Sequence, residues 1–266
     1  MNSTPVPSAT PGPGLRTQLD QRVTNTRREF ESIEAGGRAW IDSSPAELCR
    51  TFATNRQWFR TDTVFESSVF LYLDLSADHE AVQRAERIHR TAQETLGDAN
   101  VNLAPSRRLH STILTDVVAQ YERLADAEVS RVADLYAHLY QAMPPCLVSV
   151  LGPRLTPGGI ILECRIHEPA LFAMREAARL LGERNGRRPR IPTNEYATLG
   201  YLTGGDYAAL VELYEVLRRM RVNCAPIEVA VDRVLVTLTV NKAIVPPTLE
   251  FALTAAPDGG GPEAGD

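Results

Sequence analysis

The sequence predicts an α+β protein of two lobes facing one central groove. Two observations carry this. From Val69 onward, β-rich apolar runs alternate with segments whose apolar residues recur at helical spacing. The alternation also runs twice, and each half contains one strand whose apolar pattern is broken by a polar couplet.

The elements follow in order. Met1 to Gly14 is rich in Pro, Ser and Thr, and Ala255 to Asp266 is acidic and rich in Gly and Pro. Both are expected to be disordered tails, because neither buries enough apolar surface to offset its ordering entropy. Residues 15–68 are expected to form an N-terminal extension packed on a main domain of residues 69–254. The extension has a helical look over Leu15 to Ile33 and carries both tryptophans. A short helix is predicted from Ser44, with Pro45 at its first position, where the missing N–H costs nothing.

In the main domain "VFLYLDL" (Val69–Leu75) reads as a buried strand. Val82, Ala85, Ile88, His89, Ala92 and Leu96 then share one helical face. "RLHSTIL" is the next strand, and a helix follows with Val129, Val132, Tyr136 and Leu139 on one side. "CLVSVL" and "GIILECR" are strands separated by a Pro/Gly turn over Pro153 to Gly159. The second half has a helix over about Pro169 to Glu183, an Arg-rich loop, the strand "YATLGYL", and a helix from near Asp206. Two strands, "IEVAVD" and "VLVTLTV", complete the prediction.

Bulk composition narrows the function. The 266 residues are 44% hydrophobic with a net charge of −5, which argues against a general polyanion binder. A small anionic ligand in a local basic pocket stays compatible. Lys242 is the only lysine, a bias consistent with a GC-rich coding sequence. Cys49, Cys146, Cys164 and Cys224 are far apart and form no C-x-x-C pair, so buried reduced thiols are expected rather than a zinc site or a disulfide framework. The N-terminus lacks the basic and apolar regions of a signal peptide, and no run reaches the roughly 18 apolar residues of a membrane span. A soluble, cytoplasmic protein is expected.

Strand geometry gives the couplets meaning. Residues i and i+2 of a strand point to one face, so His110 and Thr112 project together while Ser111 points away. Tyr196 and Thr198 do the same. Two such strands side by side in a groove would gather four polar groups over one small volume.

The paired segments, His110-Ser111-Thr112 and Tyr196-Ala197-Thr198-Leu199-Gly200-Tyr201-Leu202, resemble the motifs of the 2H phosphoesterase superfamily. That superfamily includes the LigT-like 2′-5′ RNA ligases and cyclic nucleotide phosphodiesterases, and the resemblance spans roughly Val69 to Val245. It implies two pseudo-symmetric antiparallel sheets flanked by helices. It also implies a metal-independent phosphodiesterase acting on a 2′,3′-cyclic or 2′-5′-linked nucleotide or a related phosphoester. No cofactor or metal is expected, and the partner would be a small nucleotide, a phosphoester or an RNA end. Histidine suits such chemistry as base or acid because its ordinary pKa is about 6.5. The threonine hydroxyls would hold phosphoryl oxygens.

The sequence departs from the pattern at Tyr196, which stands where a second histidine is expected. A phenol, with a pKa of about 10, is a poor base but a competent donor. His110 and Tyr196 are therefore the catalytic candidates, and Thr112, Thr198, Tyr201, Arg108 and Arg190 the phosphate or substrate contacts. Arg107, Arg184, Arg187 and Arg188 flank the same strands, with a solvated loop as the plainer explanation. Thr203 is a further groove candidate. His89 and His138 fall in predicted helices and His79 begins one; His167 follows a strand end, and nothing places it in the groove. Two alternatives stand beside the enzyme: a nucleotide-binding protein that does not cleave, and an enzyme of specialised metabolism that reuses the fold.

Overall fold

The computed structural model describes residues 45–60, 62–157, 159–166, 169–192 and 195–254. The expected tails, most of the N-terminal extension, Ser44 and His167 lie outside the described residues. Helix α1 (Pro45–Trp58) begins at the proline that its sequence marks as a first helical position. Strand β1 (Glu66–Asp74) follows, then helix α2 (His79–Leu96), where the Asp78 carboxylate accepts the Ala81 N–H at 2.8 Å as an N-cap. Strands β2 (Val101–Leu103) and β3 (His110–Gln120) lead to helix α3 (Ala127–Gln141).

The second half repeats the plan. It contains β4 (Cys146–Thr156), β5 (Gly159–Ile166), helix α4 (Pro169–Arg184), β6 (Tyr196–Leu202) and helix α5 (Tyr207–Val222), N-capped by Asp206. Strands β7 (Ile227–Val231), β8 (Arg233–Val240) and β9 (Ala243–Ala252) end the chain of elements.

The strands are antiparallel throughout and run in the order β7-β4-β5-β6-β3-β1-β8-β9, with β2 also paired to β6. This is the α+β architecture with two antiparallel halves. One half is β3-β1-β8-β9 and the other β7-β4-β5-β6. A single residue pair, Ser111 with Ala197, joins them through β3 and β6. Helix α3 packs against β1, β8 and β9, while α2 and α5 cover the other half through β6, β7 and β4. Each half-sheet is thereby buried on its helix side. Val69, Leu71 and Leu73 of β1 and Val129, Val132 and Tyr136 of α3 are all fully buried.

Buried polar residues tie the helices to the sheet. Arg84 of α2 donates to the carbonyls of Val150 (3.0 Å) and Ala225 (2.6 Å). The Asp116 carboxylate accepts from the Tyr136 hydroxyl (2.9 Å) and the Arg187 guanidinium (2.7 Å). Arg187, from the Arg-rich loop, thus serves as an ion-pair partner inside the fold.

Several boundaries differ from the sequence reading. β4 runs on to Thr156, so Pro153 lies inside a strand, at a shift in register where no ladder donor is required. The sequence does not predict β2 or β9. β9 contains Pro246-Pro247, joined by a cis peptide bond, and sits at the edge of the sheet, where a missing N–H is tolerated. Of the cysteines, Cys146 and Cys164 are buried as expected, but Cys49 is exposed on α1.

Candidate active site

The site sits where the two halves meet. Around the Ser111–Ala197 pair the antiparallel order puts Thr198 on the His110 side and Tyr196 on the Thr112 side. Ser111 and Ala197 are buried on the helix side, while the four flanking residues are half-buried and line one cavity of about 160 Å³. Alternation puts each couplet on one face of its strand, and the pairing of β3 with β6 brings the two couplets together.

Tyr201 also lines the cavity, although it is three residues from Thr198. Plain alternation would send it to the opposite face. The register against β5 slips here: Ile161 pairs with Thr198 and Ile160 with Gly200, which leaves Leu199 as the extra residue of a bulge. The bulge restores Tyr201 to the cavity face, beside Thr198. Gly200 makes this possible, since a Cβ there would lie 2.8 Å from the Leu103 side chain and 2.9 Å from the Asn102 carbonyl of β2.

His110 is held in one orientation. Its Nδ1–H donates to the Arg108 carbonyl at 2.6 Å, because a carbonyl can only accept. The neutral ring therefore leaves Nε2 as the lone-pair nitrogen. Tyr72 and Phe70 flank the imidazole with ring centroids 4.8 and 5.5 Å away. This burial pushes the His110 pKa down, against the opposing effects of the Arg108 carbonyl and the Asp74 charge. The neutral form is thus favoured at neutral pH. Burial also raises the Tyr196 pKa, so its phenol stays protonated. Tyr72, beside the histidine, is pushed up to about 12 by burial and the nearby Asp74.

Tyr196 is anchored from behind. The buried Glu195 carboxylate accepts from the Arg175 guanidinium at 3.0 Å and from the Ile166 N–H at 2.7 Å. The Glu195 carbonyl accepts the Cys164 N–H at 2.9 Å.

The other candidates are placed differently. Arg108 and Arg190 are exposed and do not line the cavity. The Arg108 guanidinium donates to the Ile244 carbonyl at 2.5 Å, while the Arg190 backbone pairs with Thr115 of β3. Arg107, Arg184 and Arg188 do not line the cavity either. Thr203 does not line the cavity, and its carbonyl accepts from Arg56 of α1. The His89 Nε2–H donates to the Leu199 carbonyl at 2.9 Å, a packing contact between α2 and β6.

Six residues of the lining are not site candidates in the sequence: Ser68, Phe70, Ala104, Thr239, Lys242 and Ile244. The hydroxyls of Ser68 and Thr239 bond to each other at 2.7 Å. They come from β1 and β8, where the adjacent Ser67-Ser68 and the spaced Thr237 and Thr239 put hydroxyls into otherwise apolar strands. Among the described residues no group of three or more His, Cys, Asp or Glu side chains is arranged to hold a metal, and no helix is long and apolar enough to cross a membrane.

No protein-family model matches the chain, and no curated protein is matched by it. Among solved structures it is similar to TT0787 of Thermus thermophilus, at 16% identity and a TM-score of 0.46, over 71% of this chain and 98% of that one. LigT of E. coli in its apo form aligns at 16% identity and a TM-score of 0.41, over 71% and 99%. A structure described as a phosphoesterase aligns at 13% identity and a TM-score of 0.40, over the same shares.

Proposed function

We propose that this chain is a phosphodiesterase of the 2H type, acting on a 2′,3′-cyclic or 2′-5′-linked nucleotide or a related phosphoester. One observation carries the reading. His110, with Nε2 as its lone-pair nitrogen, shares a single cavity with Thr112, Tyr196 and Thr198 at the junction of the two half-sheets.

The chemistry follows from these groups. Nε2 of His110 takes a proton from the attacking water or hydroxyl as its oxygen bonds to phosphorus. The hydroxyls of Thr112 and Thr198 donate to the non-bridging phosphoryl oxygens, where negative charge accumulates. The Tyr196 phenol, kept protonated by burial, donates its proton to the oxygen that leaves. A phosphorus–oxygen bond forms, another breaks, and the site resets when the imidazolium gives its proton to solvent and the Tyr196 phenolate takes one back. A phenol is a weaker acid than an imidazolium, so turnover is expected to be slow.

The test is hydrolysis of a panel of 2′,3′-cyclic nucleotides and 2′-5′-linked dinucleotides, followed by chromatography. His110→Ala should lower kcat/KM about 10²–10⁴-fold. No turnover anywhere in the panel at high enzyme concentration would sink the catalytic reading. Because Tyr196 replaces an imidazole, a binder that captures nucleotides without cleaving them is the second reading; recovery of unchanged ligand after stable binding would favour it.

A further inference from the structure

The neutral imidazole and the hydroxyls of the cavity supply no net positive charge to a phosphoryl group. Arg108 and Arg190 do not line the cavity. Lys242 does, and among the described residues that line it, Lys242 alone carries a fixed positive charge. It is also the only lysine of the chain, every other Lys/Arg position being arginine.

Its backbone position is unusual. The hairpin between β8 and β9 turns on Asn241-Lys242, with φ of 48° and 66°. A two-residue turn with both residues left-handed prefers asparagine followed by glycine, since a side chain at the second position meets its own backbone. Lysine occupies the place where glycine would be strain-free. A non-glycine residue held in such a conformation points to a role for its side chain.

The surroundings hold that side chain in place. The Glu66 carboxylate accepts from the ammonium, and the Trp58 indole lies under it, 4.8 Å from Nζ to the ring centroid. Trp58 in turn packs edge-on against Tyr201 of the cavity, with centroids 5.5 Å apart. The turn itself is pinned by Asn241. Its Oδ1 accepts from the N–H groups of Phe65 (2.7 Å) and Glu66 (3.2 Å), and its Nδ2 donates to the carbonyls of Thr63 (2.8 Å) and Arg60 (3.1 Å).

We propose that Lys242 is the anion-holding residue of the cavity, positioned by Glu66 and by Trp58 at the end of α1. The chain before β1 is then a working part of the site. An ammonium carries three N–H donors, of which Glu66 takes one. It is also a compact charge whose donors rotate freely on a flexible stem. The proposal rests on the phosphoester reading of the same cavity and names the group that recognises the phosphate.

Calorimetry on the full chain tests it, using a nucleoside 3′-monophosphate and the same nucleoside without phosphate. The wild type should bind the monophosphate at least tenfold more tightly. Lys242→Met should remove most of that preference and leave nucleoside affinity within twofold. Lys242→Gly relieves the left-handed strain, so it keeps a folded variant available, and the same loss is expected from it. If both variants keep the wild-type preference, Lys242 does not hold the anion, while the phosphoester reading stands. Loss of nucleoside affinity as well would make Lys242 a structural residue and overturn the proposal. If the wild type shows no preference for the phosphate, both readings fall together.

Discussion

His110 owes its protonation state to what surrounds it, and this gives a prediction at the scale of one side chain. The Arg108 carbonyl fixes the tautomer, and two aromatic rings withdraw the imidazole from water. Burial also lowers the pKa of His89. Both rings are therefore harder to protonate folded than unfolded, where the ordinary value is 6.5. Below that pH the unfolded chain binds more protons, so stability is full above about 6.5 and falls as pH drops toward the folded pKa values. Urea unfolding at pH 7.5 and 5.5 should show the lower midpoint at pH 5.5. The kcat/KM profile should have its acid limb below 6.5, where the base becomes protonated. An acid limb centred above 6.5 would remove His110 from the role of base, because burial lowers its pKa.

At the scale of elements, the β8–β9 hairpin and the segment between α1 and β1 stabilise each other through one side chain. Asn241 makes four hydrogen bonds to backbone groups at Arg60, Thr63, Phe65 and Glu66, and its own N–H donates to the Glu66 carbonyl at 2.8 Å. Asn241→Ala removes the four side-chain bonds and leaves a non-glycine residue in a left-handed conformation. At about 1 kcal/mol for each net bond, a loss of about 2–4 kcal/mol is expected in denaturant unfolding. A loss below about 1 kcal/mol would mean that the turn is held by the strands alone. Much of this is not legible in the sequence. The "NK" of the turn reads as an ordinary polar pair until β9 is known, and Pro246-Pro247 hides β9 by contradicting strand propensity. β6, by contrast, is legible to the residue, because Tyr196 to Leu202 alternates cleanly up to its bulge.

Across the whole molecule, the two half-sheets meet at one residue pair, so the site depends on groups that fix each half from behind. Arg175 is fully buried and pairs with Glu195, the residue before Tyr196. Glu195→Gln leaves a buried guanidinium without its countercharge, which costs about 3–5 kcal/mol. For a chain of this size that lowers the thermal midpoint by about 10 °C. Thermal unfolding of the variant measures this, and an unchanged midpoint would show that Arg175 is neutralised elsewhere.

Chain-local physics determined the α+β class, the alternation of strands and helices, and the shared faces of His110 with Thr112 and of Tyr196 with Thr198. Those properties follow from residue spacing along a single strand or helix. Only the tertiary structure decided that both couplets open into one cavity, that a bulge turns Tyr201 toward it, and that Lys242 lines it while Arg108 and Arg190 do not. These depend on register between strands far apart in sequence and on close approaches such as that of Gly200 to β2. A side chain's own sequence neighbourhood carries no record of such distant partners, which is why the sequence marks the arginines beside the motifs as phosphate contacts and gives Lys242 no place in the site.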